Sequence, residues 1–309
     1  MDKNKIVSVI MSTYNEPISM IQESIQSILK QTYTRLQIII INDNPSRDDL
    51  SQVLLNYCQI DERINYVVNE KNIGLVQSLN KGLNLAQGEY IARMDADDVS
   101  EHDRIQKQIE YLENNHLDLI GCNIIKIDET GNYIGKLCLP CTNEMIKKYM
   151  QYGSCVLHPT WFAKTEVFQQ LNGYRNIYTC EDFDFLLRAI EFGYKIGNLP
   201  EKKLLYRIRA NGISISSNVR QKLTMYYLVD SYRKNKILTT EEIDQYLSSV
   251  EYENDYKKLE KYEESKEFVK NTTAITVIIK CVFRIITNKY FYKNIIEHHK
   301  LKEREKYSV

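Results

Sequence analysis

Three closely spaced carboxylates are the strongest chemical signal in the sequence. Asp95, Asp97 and Asp98 follow residues 90–94 (Tyr-Ile-Ala-Arg-Met), which have the character of a β-strand. Alternate side chains of an extended chain point the same way, so Asp95 and Asp97 can face one ion. Hard oxygen ligands of this kind bind Mg²⁺ or Mn²⁺, which often keep open positions for a substrate's phosphate oxygens. The alternative is an acidic turn that caps a helix near Asp103, and the position at a strand end favours the metal site.

Other ways of holding a phosphate or a cation are missing from the sequence. It contains neither G-x-x-x-x-G-K-[ST] nor a G-x-G-x-x-G after a strand, which argues against ATPases and Rossmann dehydrogenases. Ser100 and Gln106 stand where a calcium-binding EF-hand loop needs Gly and Glu. A metal-bridged diphosphate without a glycine cradle indicates transfer of a sugar from a nucleotide sugar. Asp43 could accept a hydrogen bond from a base N–H, although it could equally be a turn residue.

The first hundred residues have the pattern that would position these groups at one edge of a sheet. Short apolar runs alternate with segments of helical period, as in βαβ units with a mostly parallel sheet flanked by helices. Ligands bind outside the carboxyl ends of such strands. The predicted strands are 6–11, 36–41, 64–68 and 90–94, the predicted helices are 18–30, 48–58 and 75–86, and the strand exits are 12–16, 42–44, 69–74 and 95–98.

The second half of the sequence has a mixed pattern and then becomes helical. Strands are predicted at 117–127, 133–137, 156–163 and 204–208, and helices at 105–114, at 143–152 and from 182. Beyond residue 218 the apolar spacing is helical throughout. We therefore predict an α/β body made of parts 1–98 and 99–216, with a helical appendage at 217–309.

Composition narrows the class of protein. The 309 residues have a formal net charge of zero and are 43% hydrophobic, so a sizeable core is expected and no general attraction to nucleic acid. Seven scattered cysteines indicate reduced thiols, since Cys138 and Cys141 make only half of a zinc site. No run has the roughly 18 uncharged apolar residues of a spanning helix, and the first strand lacks the features of a secretion signal. A cytoplasmic protein is expected.

Taken in order, these motifs and several others resemble one family, the family 2 inverting glycosyltransferases with the GT-A fold. The resemblance covers roughly residues 6–216. Its residues are 7–16 (Val-Ser-Val-Ile-Met-Ser-Thr-Tyr-Asn-Glu), 24–33 (Ser-Ile-Gln-Ser-Ile-Leu-Lys-Gln-Thr-Tyr), 40–43 (Ile-Ile-Asn-Asp), 72–74 (Asn-Ile-Gly), 80–82 (Asn-Lys-Gly), 88–98 (Gly-Glu-Tyr-Ile-Ala-Arg-Met-Asp-Ala-Asp-Asp), 158–160 (His-Pro-Thr), 181–184 (Glu-Asp-Phe-Asp) with Arg188, and 206–209 (Tyr-Arg-Ile-Arg) leading to Ser214 and Ser216.

The resemblance implies roles for individual residues. Thr13, Tyr14 and Glu16 would line the nucleoside pocket, and Asp43 would contact uracil. The implied donor-binding set is Thr13, Tyr14, Glu16, Asp43, Asn72, Arg93 and Asp95, the metal ligands are Asp95 and Asp97 with Mn²⁺ or Mg²⁺, the catalytic base is Asp182, and further donor or acceptor contacts are His158, Glu181, Arg207 and Arg209.

Asp182 can also be argued from chemistry alone. Acidic residues at 181, 182 and 184 open a helical segment, where the helix dipole by itself would favour them. A sugar-accepting hydroxyl, however, must lose its proton as it attacks, and a positioned carboxylate that takes this proton contributes ~10²–10⁴-fold to the rate. Mechanism therefore favours Asp182 as the base. A single displacement would invert an α-linked donor to a β-linked product.

Two residues depart from the commoner pattern of the family. Arg209 stands where a histidine often helps to hold the metal or the diphosphate. A protonated guanidinium cannot ligate a metal, but it can pair with phosphate. Leu79 precedes Asn80 where many relatives have arginine, which would remove one diphosphate contact or move it to Arg93.

The C-terminal segment 274–309 carries eight basic and three acidic residues, a net charge of +5, with apolar side chains at helical spacing. It reads equally well as an interfacial helix attracted to anionic lipid and as a helix packed on the body. Membrane contact would suit a lipid-linked oligosaccharide acceptor. The function predicted overall is metal-dependent transfer of a hexose or N-acetylhexosamine from a UDP-sugar in capsule or other surface polysaccharide synthesis. The rival interpretations are a nucleotidyltransferase and a catalytically silent sugar-nucleotide-binding scaffold.

Overall fold

The computed structural model describes residues 5–177, 179–209, 219–271, 281–282 and 285–304. Its first part is a regular alternation of strands and helices, which confirms the four predicted strands and three crossovers. The elements are β1 (Val7–Thr13), α1 (Ile18–Leu29), β2 (Leu36–Asn42), α2 (Asp48–Ile60), β3 (Ile64–Val68), α3 (Leu75–Leu85) and β4 (Tyr90–Asp95).

The order of these strands creates a crevice beside β1. β1 pairs in parallel with β2 on one side and with β4 on the other, and β3 lies outside β2. The chain therefore moves outward from β1 to β3 and then returns to the opposite side of β1. Crossovers diverge at such a switch point, which leaves a binding crevice at the carboxyl ends of β1 and β4.

The second part of the chain extends the same sheet with strands of mixed direction. β8 pairs antiparallel with β4 and with β6, and β9 runs parallel to β6 over nine register positions. The described residues form a nine-stranded sheet in the order β3-β2-β1-β4-β8-β6-β9-β5, with β7 paired to β6. The elements are β5 (Val99–Ser100), α4 (Arg104–Asn114), β6 (Leu119–Ile127), β7 (Tyr133–Leu137), α5 (Asn143–Met150), β8 (Phe162–Lys164), α6 (Thr165–Gln170), α7 (Glu181–Glu191) and β9 (Ile196–Arg207).

Two predicted strands differ from the structure. The strand expected at 156–163 is wrong, because the chain makes a 3₁₀ turn at His158–Thr160 and only then enters the short β8. Pro159 has no N–H to give to a ladder, so it favours this break. β9 begins at Ile196, eight residues earlier than predicted, and its first part includes Asn198 and Pro200. The Asn198 amide donates to two buried carbonyl oxygens, at 2.7 and 2.8 Å.

Both faces of the sheet are buried, which explains the nearly continuous apolar runs of the first strands. Along β2 the side chains alternate, with Ile39 and Ile41 on one face and Ile38 and Ile40 on the other. The first face packs against α3, α7 and Trp161. The second packs against α1, α2 and α4. The sheet is thereby held rigid between two helical layers, and its polar strand ends are the part left open.

The C-terminal region is helical where it is described and packs on the body. It contains α8 (Val219–Tyr232), α9 (Thr240–Leu247), α10 (Val250–Asn271) and α11 (Lys289–Arg304). Leu228 and Val229 of α8 are buried in the core of the body, and Tyr290 of α11 stacks on Tyr226 with ring centroids 5.7 Å apart. Among the described residues, no helix combines the length and apolarity that a bilayer crossing requires. Residues 274–280, 283–284 and 305–309 of the basic segment lie outside the described part.

Candidate functional site

A cavity of about 630 Å³ opens at the crevice between β1 and β4. Its wall combines the exits of β1, β2, β3 and β4 with Glu129, which follows β6, and Arg209, which follows β9. Of the residues predicted from the sequence, the cavity brings together Thr13, Tyr14, Glu16, Asp43, Asn72, Asp95 and Arg209. The walls also include Ser12, Asn15, Met20, Leu75 and Glu129, which had not been singled out. Because the strand exits share one edge of the sheet, residues far apart in sequence line a single space.

Asp43 forms one end of the cavity and is held in a single orientation. It is only 3% exposed. Its Oδ1 accepts hydrogen bonds from the Asn69 side chain at 2.8 Å and from the Ile73 backbone N–H at 2.9 Å. Its Oδ2 accepts one from the Gly74 N–H at 2.9 Å, at the start of α3. Gly74 has a φ of +85°, a value that glycine adopts without strain. Helix start and carboxylate therefore fix each other.

The neighbouring loop of the cavity wall is fixed by Glu16 and Asn72. The Oε2 atom of Glu16 accepts the Tyr14 backbone N–H at 2.7 Å, which closes the turn after β1. Asn72 accepts the Gly74 N–H through its side-chain oxygen at 3.0 Å. Tyr14 itself is 41% exposed, so its ring is free to cover a ligand. The backbone of the turn that follows β1 is thus fixed, whereas the Tyr14 side chain is accessible to a ligand.

The carboxylates at the end of β4 converge: the sequence predicted this for Asp95 and Asp97, and the structure adds Asp98. One oxygen from each of Asp95, Asp97 and Asp98 lies within 4.8 Å of the others. Burial raises the pKa of Asp97 to about 6, and the charge of Asp95 adds to this effect while Arg209 opposes it. Burial likewise raises the pKa of Asp98 well above its usual value. A cluster of hard oxygen atoms whose negative charges repel one another fits a divalent cation.

Arg207 fixes the position of the loop that contains Asp97 and Asp98. Its backbone N–H donates to Asp98 Oδ1 at 2.8 Å, and its guanidinium donates to the carbonyl oxygen of Asp97 at 2.8 Å. The same guanidinium pairs with Glu23 of α1 at 2.5 Å and also contacts the carbonyl oxygens of Asp128 and Glu129. Arg207 is buried, and it does not line the cavity. Its observed contacts position the loop, whereas a ligand contact had been predicted.

Arg209, two residues further along, points into the cavity. Its Nε lies 2.6 Å from Asp97 Oδ2, and its Nη2 lies 3.7 Å from Glu16 Oε1. Its backbone is carried by an anchored strand, since the Ile208 N–H donates to the Ile127 carbonyl oxygen at 2.9 Å. A guanidinium therefore sits directly on one of the predicted metal ligands.

Asp182 and the neighbouring Glu181 form the second acidic site, at the N-terminus of α7. Asp182 Oδ1 accepts the N–H of Phe183 at 2.7 Å. Burial raises the pKa of Glu181 to about 7, helped by the charge of Asp182. Burial also raises the pKa of Asp182, whereas the positive charge of Arg93 lowers it. Each of the two carboxyl groups thus takes up a proton at a higher pH than an exposed acid does.

The start of α7 is held in place by a buried ion network that was not predicted as part of the site. Asp184, on the same helical turn, is 1% exposed and pairs with Arg175 and with Arg188. Arg188 also donates to the Leu171 and Gly173 carbonyl oxygens at 2.6 and 2.9 Å. Removing one partner of a buried pair leaves the other charge uncompensated. The network therefore anchors the turn that carries Asp182.

Arg93 and His158 are buried, and the charge of Arg93 acts on both acidic sites and on His158. Arg93 pairs with Asp95, and its charge acts on the pKa of both Glu181 and Asp182. His158 Nε2 lies 2.9 Å from the Tyr174 hydroxyl. Burial, and then the charge of Arg93, lowers the pKa of His158 well below its usual value, so the ring is neutral. Neither side chain lines the cavity.

Arg104 is a positioning residue that the sequence analysis missed. It is fully buried at the start of α4, where it donates to the carbonyl oxygens of Arg93 at 2.8 Å and Pro159 at 3.1 Å. Its guanidinium also donates to Gln108, one helical turn away, at 3.0 Å. Arg104 and Gln108 share the spacing of the apolar face of α4. Polar residues on such a face were the signal that could have revealed them.

Taken together, the groups allow a defined set of chemical steps. The cavity offers a carboxylate acceptor at Asp43, a carboxylate at Asp95 and a cation at Arg209 that can pair with phosphate. Asp97 does not line the cavity, but its oxygen lies close to that of Asp95 and contacts Arg209, so both aspartates could bind one divalent cation. The carboxyl groups of Glu181 and Asp182 lie near the same charges. This set suits a substrate with a base at one end and a diphosphate at the other, together with the removal of one proton.

Comparison with known proteins agrees with this arrangement. The sequence profile of glycosyl transferase family 2 matches residues 8–171. An uncharacterised glycosyltransferase of Methanocaldococcus jannaschii is 38% identical over 239 residues, which are 76% of this chain and 82% of that protein. The O-antigen biosynthesis glycosyltransferase WbnJ of Escherichia coli is 32% identical over 79% of this chain and 94% of its own length.

Two solved structures share the fold. Residues 1–349 of S. aureus TarS, in complex with UDP-GlcNAc, superpose with a TM-score of 0.63 at 17% identity, over 98% of this chain and 89% of that one. The mannosyltransferase PcManGT from Pyrobaculum calidifontis, in complex with GDP-Man and Mn²⁺, gives a TM-score of 0.60 at 16% identity, over 96% and 84% of the two chains. The likeness confirms the predicted GT-A architecture.

Proposed function

The chain belongs to the family 2 glycosyltransferases, and we propose that it transfers a hexose or N-acetylhexosamine from a UDP-sugar to an oligosaccharide during surface polysaccharide synthesis. The single observation that carries this proposal is the cavity that brings Asp43 and Asp95 into one wall. This cavity provides a site for a nucleobase and a site for a metal-bound diphosphate in one space.

The free acceptor position of Asp43 supports recognition of uracil. A carboxylate has about four lone-pair positions. Three of them accept hydrogen bonds from Asn69, Ile73 and Gly74, so one position on Oδ2 remains. Uracil carries one N–H donor on its ring. Because the carboxylate is buried and fixed, it would accept that donor without any change in the protein.

Asp95 and Asp97 fit a divalent cation by ligand type and by the spacing of their oxygen atoms. Mn²⁺ or Mg²⁺ held there would neutralise the charge that develops on the departing nucleoside diphosphate. PcManGT, which shares the fold, was solved with Mn²⁺. The chain itself orients these ligands, because Arg93 pairs with Asp95 and Arg207 fixes the backbone at Asp97.

Asp182 is the proposed catalytic base. The acceptor hydroxyl attacks the anomeric carbon and loses its proton to Asp182, while the bond from that carbon to the diphosphate oxygen breaks. Attack from the side opposite the leaving group inverts the anomeric centre. Two features support this role. Asp182 is partly exposed to solvent, and burial nevertheless raises its pKa. The charges of Arg93 and Asp95 act on the same carboxylate, which indicates that it lies near the donor site.

The acceptor is proposed from the relatives. The name of WbnJ assigns that protein to O-antigen biosynthesis, and EpsE of Bacillus subtilis and AmsE of Erwinia amylovora are also similar to this chain. A growing glycan, linked to a lipid carrier, is therefore the acceptor class that we propose. Its linkage position would depend on residues between 100 and 215.

A panel of nucleotide sugars tests the function. Purified protein is incubated with each UDP-sugar and with GDP-mannose, in Mn²⁺ and in EDTA, and the released nucleotide is quantified. We expect metal-dependent UDP release from at least one UDP-sugar and none from GDP-mannose. Release of GDP alone would contradict the proposed recognition of uracil. Absence both of release and of UDP binding by calorimetry would overturn the proposed function.

The carboxyl pair at the start of α7 predicts how the rate depends on pH. The proposed base, Asp182, works only when deprotonated, and burial raises its pKa above the usual value of an aspartate. The neighbouring Glu181 has a pKa of about 7 because of burial and the charge of Asp182. We therefore expect kcat/KM to fall on the acidic side, at a higher pH than an exposed aspartate would give. In Glu181→Gln the acidic limb should move to lower pH, because Asp182 loses a carboxylate neighbour. Profiles measured between roughly pH 5.5 and 8.5 would show this. An unshifted limb would contradict the coupling.

We propose that the protein acts in the cytoplasm at the membrane surface, through its C-terminal helix. Tyr292, Ile295 and Ile296 of α11 are 49–65% exposed. Lys289 and Lys293 already pair with Asp255 and Asp230. In the described part of the helix, the proposed membrane contact therefore depends more on these exposed apolar side chains than on unpaired positive charge.

Vesicle co-sedimentation tests this contact. We expect wild-type protein to sediment with anionic vesicles and Ile295→Glu/Ile296→Glu to lose most of this binding, because two carboxylates would enter the interface. Leu55→Glu/Ile60→Glu is the matched control, since both residues are exposed on α2 of the body. Equal sedimentation of the two double variants, or no binding by wild type, would contradict membrane contact through α11.

A further inference from the structure

Arg209 contacts Asp97, whose carboxylate would have to be free in order to bind a metal. Its Nε is 2.6 Å from Asp97 Oδ2 and its Nη2 is 3.7 Å from Glu16 Oε1. The three side chains are each less than one-fifth exposed. The contact is therefore partly shielded from water, which strengthens it over a surface ion pair.

The other arginines near the cluster are committed elsewhere. Arg93 pairs with Asp95, and Arg207 pairs with Glu23 and with backbone oxygens. Arg209 is therefore the cation that balances Asp97 and Glu16 in the described structure. Its positive charge also lowers the pKa of Asp97 against the opposing effects of burial and Asp95. In this state the chain itself supplies part of the charge that a divalent cation would bring.

We propose that Arg209 is a tethered cation that competes with the divalent metal for Asp97 until a nucleoside diphosphate binds, and that it then moves to the diphosphate. The inference rests on the proposed function. A guanidinium matches phosphate oxygens in two-point contacts, so the diphosphate is a favourable alternative partner. Its departure frees an Asp97 oxygen for the metal. Nucleotide and metal would consequently bind with positive coupling.

The position of Arg209 in the chain supports this exchange. Its backbone follows Arg207, which is fixed by buried contacts, and Ile208, which is bonded to β6. Only the side chain needs to move, over the short distance between Asp97 and the interior of a cavity that both Arg209 and Asp95 line. The same geometry explains how arginine can serve where a ligand is expected: it acts on the metal through Asp97 and on the diphosphate directly.

Binding of Mn²⁺ without any sugar transfer tests the proposal. The free Mn²⁺ signal in electron paramagnetic resonance gives the dissociation constant, with and without UDP, for wild type, Arg209→Gln and Arg209→Lys. Without UDP we expect Arg209→Gln to bind Mn²⁺ about tenfold more tightly than wild type, within the usual range of coupling between sites. Arg209→Lys keeps the charge and should stay near wild type. UDP should tighten Mn²⁺ binding strongly in wild type and much less in Arg209→Gln.

Arg233→Gln is the matched control, because it removes an arginine from an ion pair with Asp230 far along the chain. It should leave every Mn²⁺ constant unchanged. Equal or weaker Mn²⁺ binding by Arg209→Gln, with its thermal unfolding unchanged, would overturn the competition. So would UDP binding without any effect on Mn²⁺ in wild type. Absence of UDP binding in all variants would instead count against the proposed function.

Discussion

Replacing Asp182 with asparagine should lower the turnover rate by ~10²–10⁴-fold, the usual contribution of a general base, while UDP-sugar affinity stays within about twofold. Asparagine keeps the shape of the side chain, and its carbonyl oxygen can still accept the Phe183 N–H. It cannot take a proton from the acceptor hydroxyl. The loss should therefore appear in kcat, measured with saturating donor and acceptor, and not in donor binding measured by calorimetry.

Asp48→Asn is a suitable control, because Asp48 is also an acidic residue in the first turn of a helix. It tests whether loss of a negative charge at a helix N-terminus has any effect by itself, and its activity should equal that of wild type. A decisive alternative is offered by the neighbouring residue. If Asp182→Asn kept its rate and Glu181→Gln lost it, the base would be Glu181. A loss of donor affinity in Asp182→Asn would show that the carboxylate supports the nucleotide site instead.

The first half of the fold could be predicted because its determinants are local. Each apolar run in residues 6–94 is followed by polar residues, and parallel strands bring those exits to one edge. Asp43 and Asp95 are 52 positions apart in sequence, yet their meeting follows from β1, β2 and β4 being neighbours. The part of the cavity wall formed by the strand exits could therefore be predicted without knowing any side-chain contact, whereas Met20, Leu75 and Glu129 could not.

The second half depended on contacts that no local pattern reveals. β9 pairs with β6 across about seventy residues, and its first turn-like residues become strand only because Asn198 finds buried carbonyl partners. Because of this pairing, the end of β9 lies beside the carboxylates, where Arg207 contacts Asp98 and Arg209 contacts Asp97. The sequence motif placed both arginines near the site, but it could not separate the one that braces the loop from the one that enters the cavity. Arg104 is different, because its spacing on the apolar face of α4 was a local signal that could have revealed it.

Replacing Asp97 with alanine should remove the effect of metal on UDP binding. Asp97 supplies one of the converging oxygen atoms, and Asp95 alone shares its charge with Arg93. In Mn²⁺ we expect UDP to bind at least about tenfold more weakly than to wild type, as coupling between the two ligands is lost. In EDTA the two proteins should differ little, or the variant should bind slightly better, since Arg209 is released from Asp97. Calorimetric titration of UDP in both buffers measures these four constants.

The comparison between the two buffers separates a metal ligand from a residue that merely shapes the cavity. A shaping residue would weaken UDP binding equally in Mn²⁺ and in EDTA, and that result would contradict the proposed metal site. Asp244→Ala, which removes an exposed carboxylate from α9, controls for the change in net charge and should bind UDP as wild type does in both buffers. If Asp97→Ala kept the full response to Mn²⁺, the cation would have to bind elsewhere. The carboxylates at the end of β4 would then only stabilise the loop.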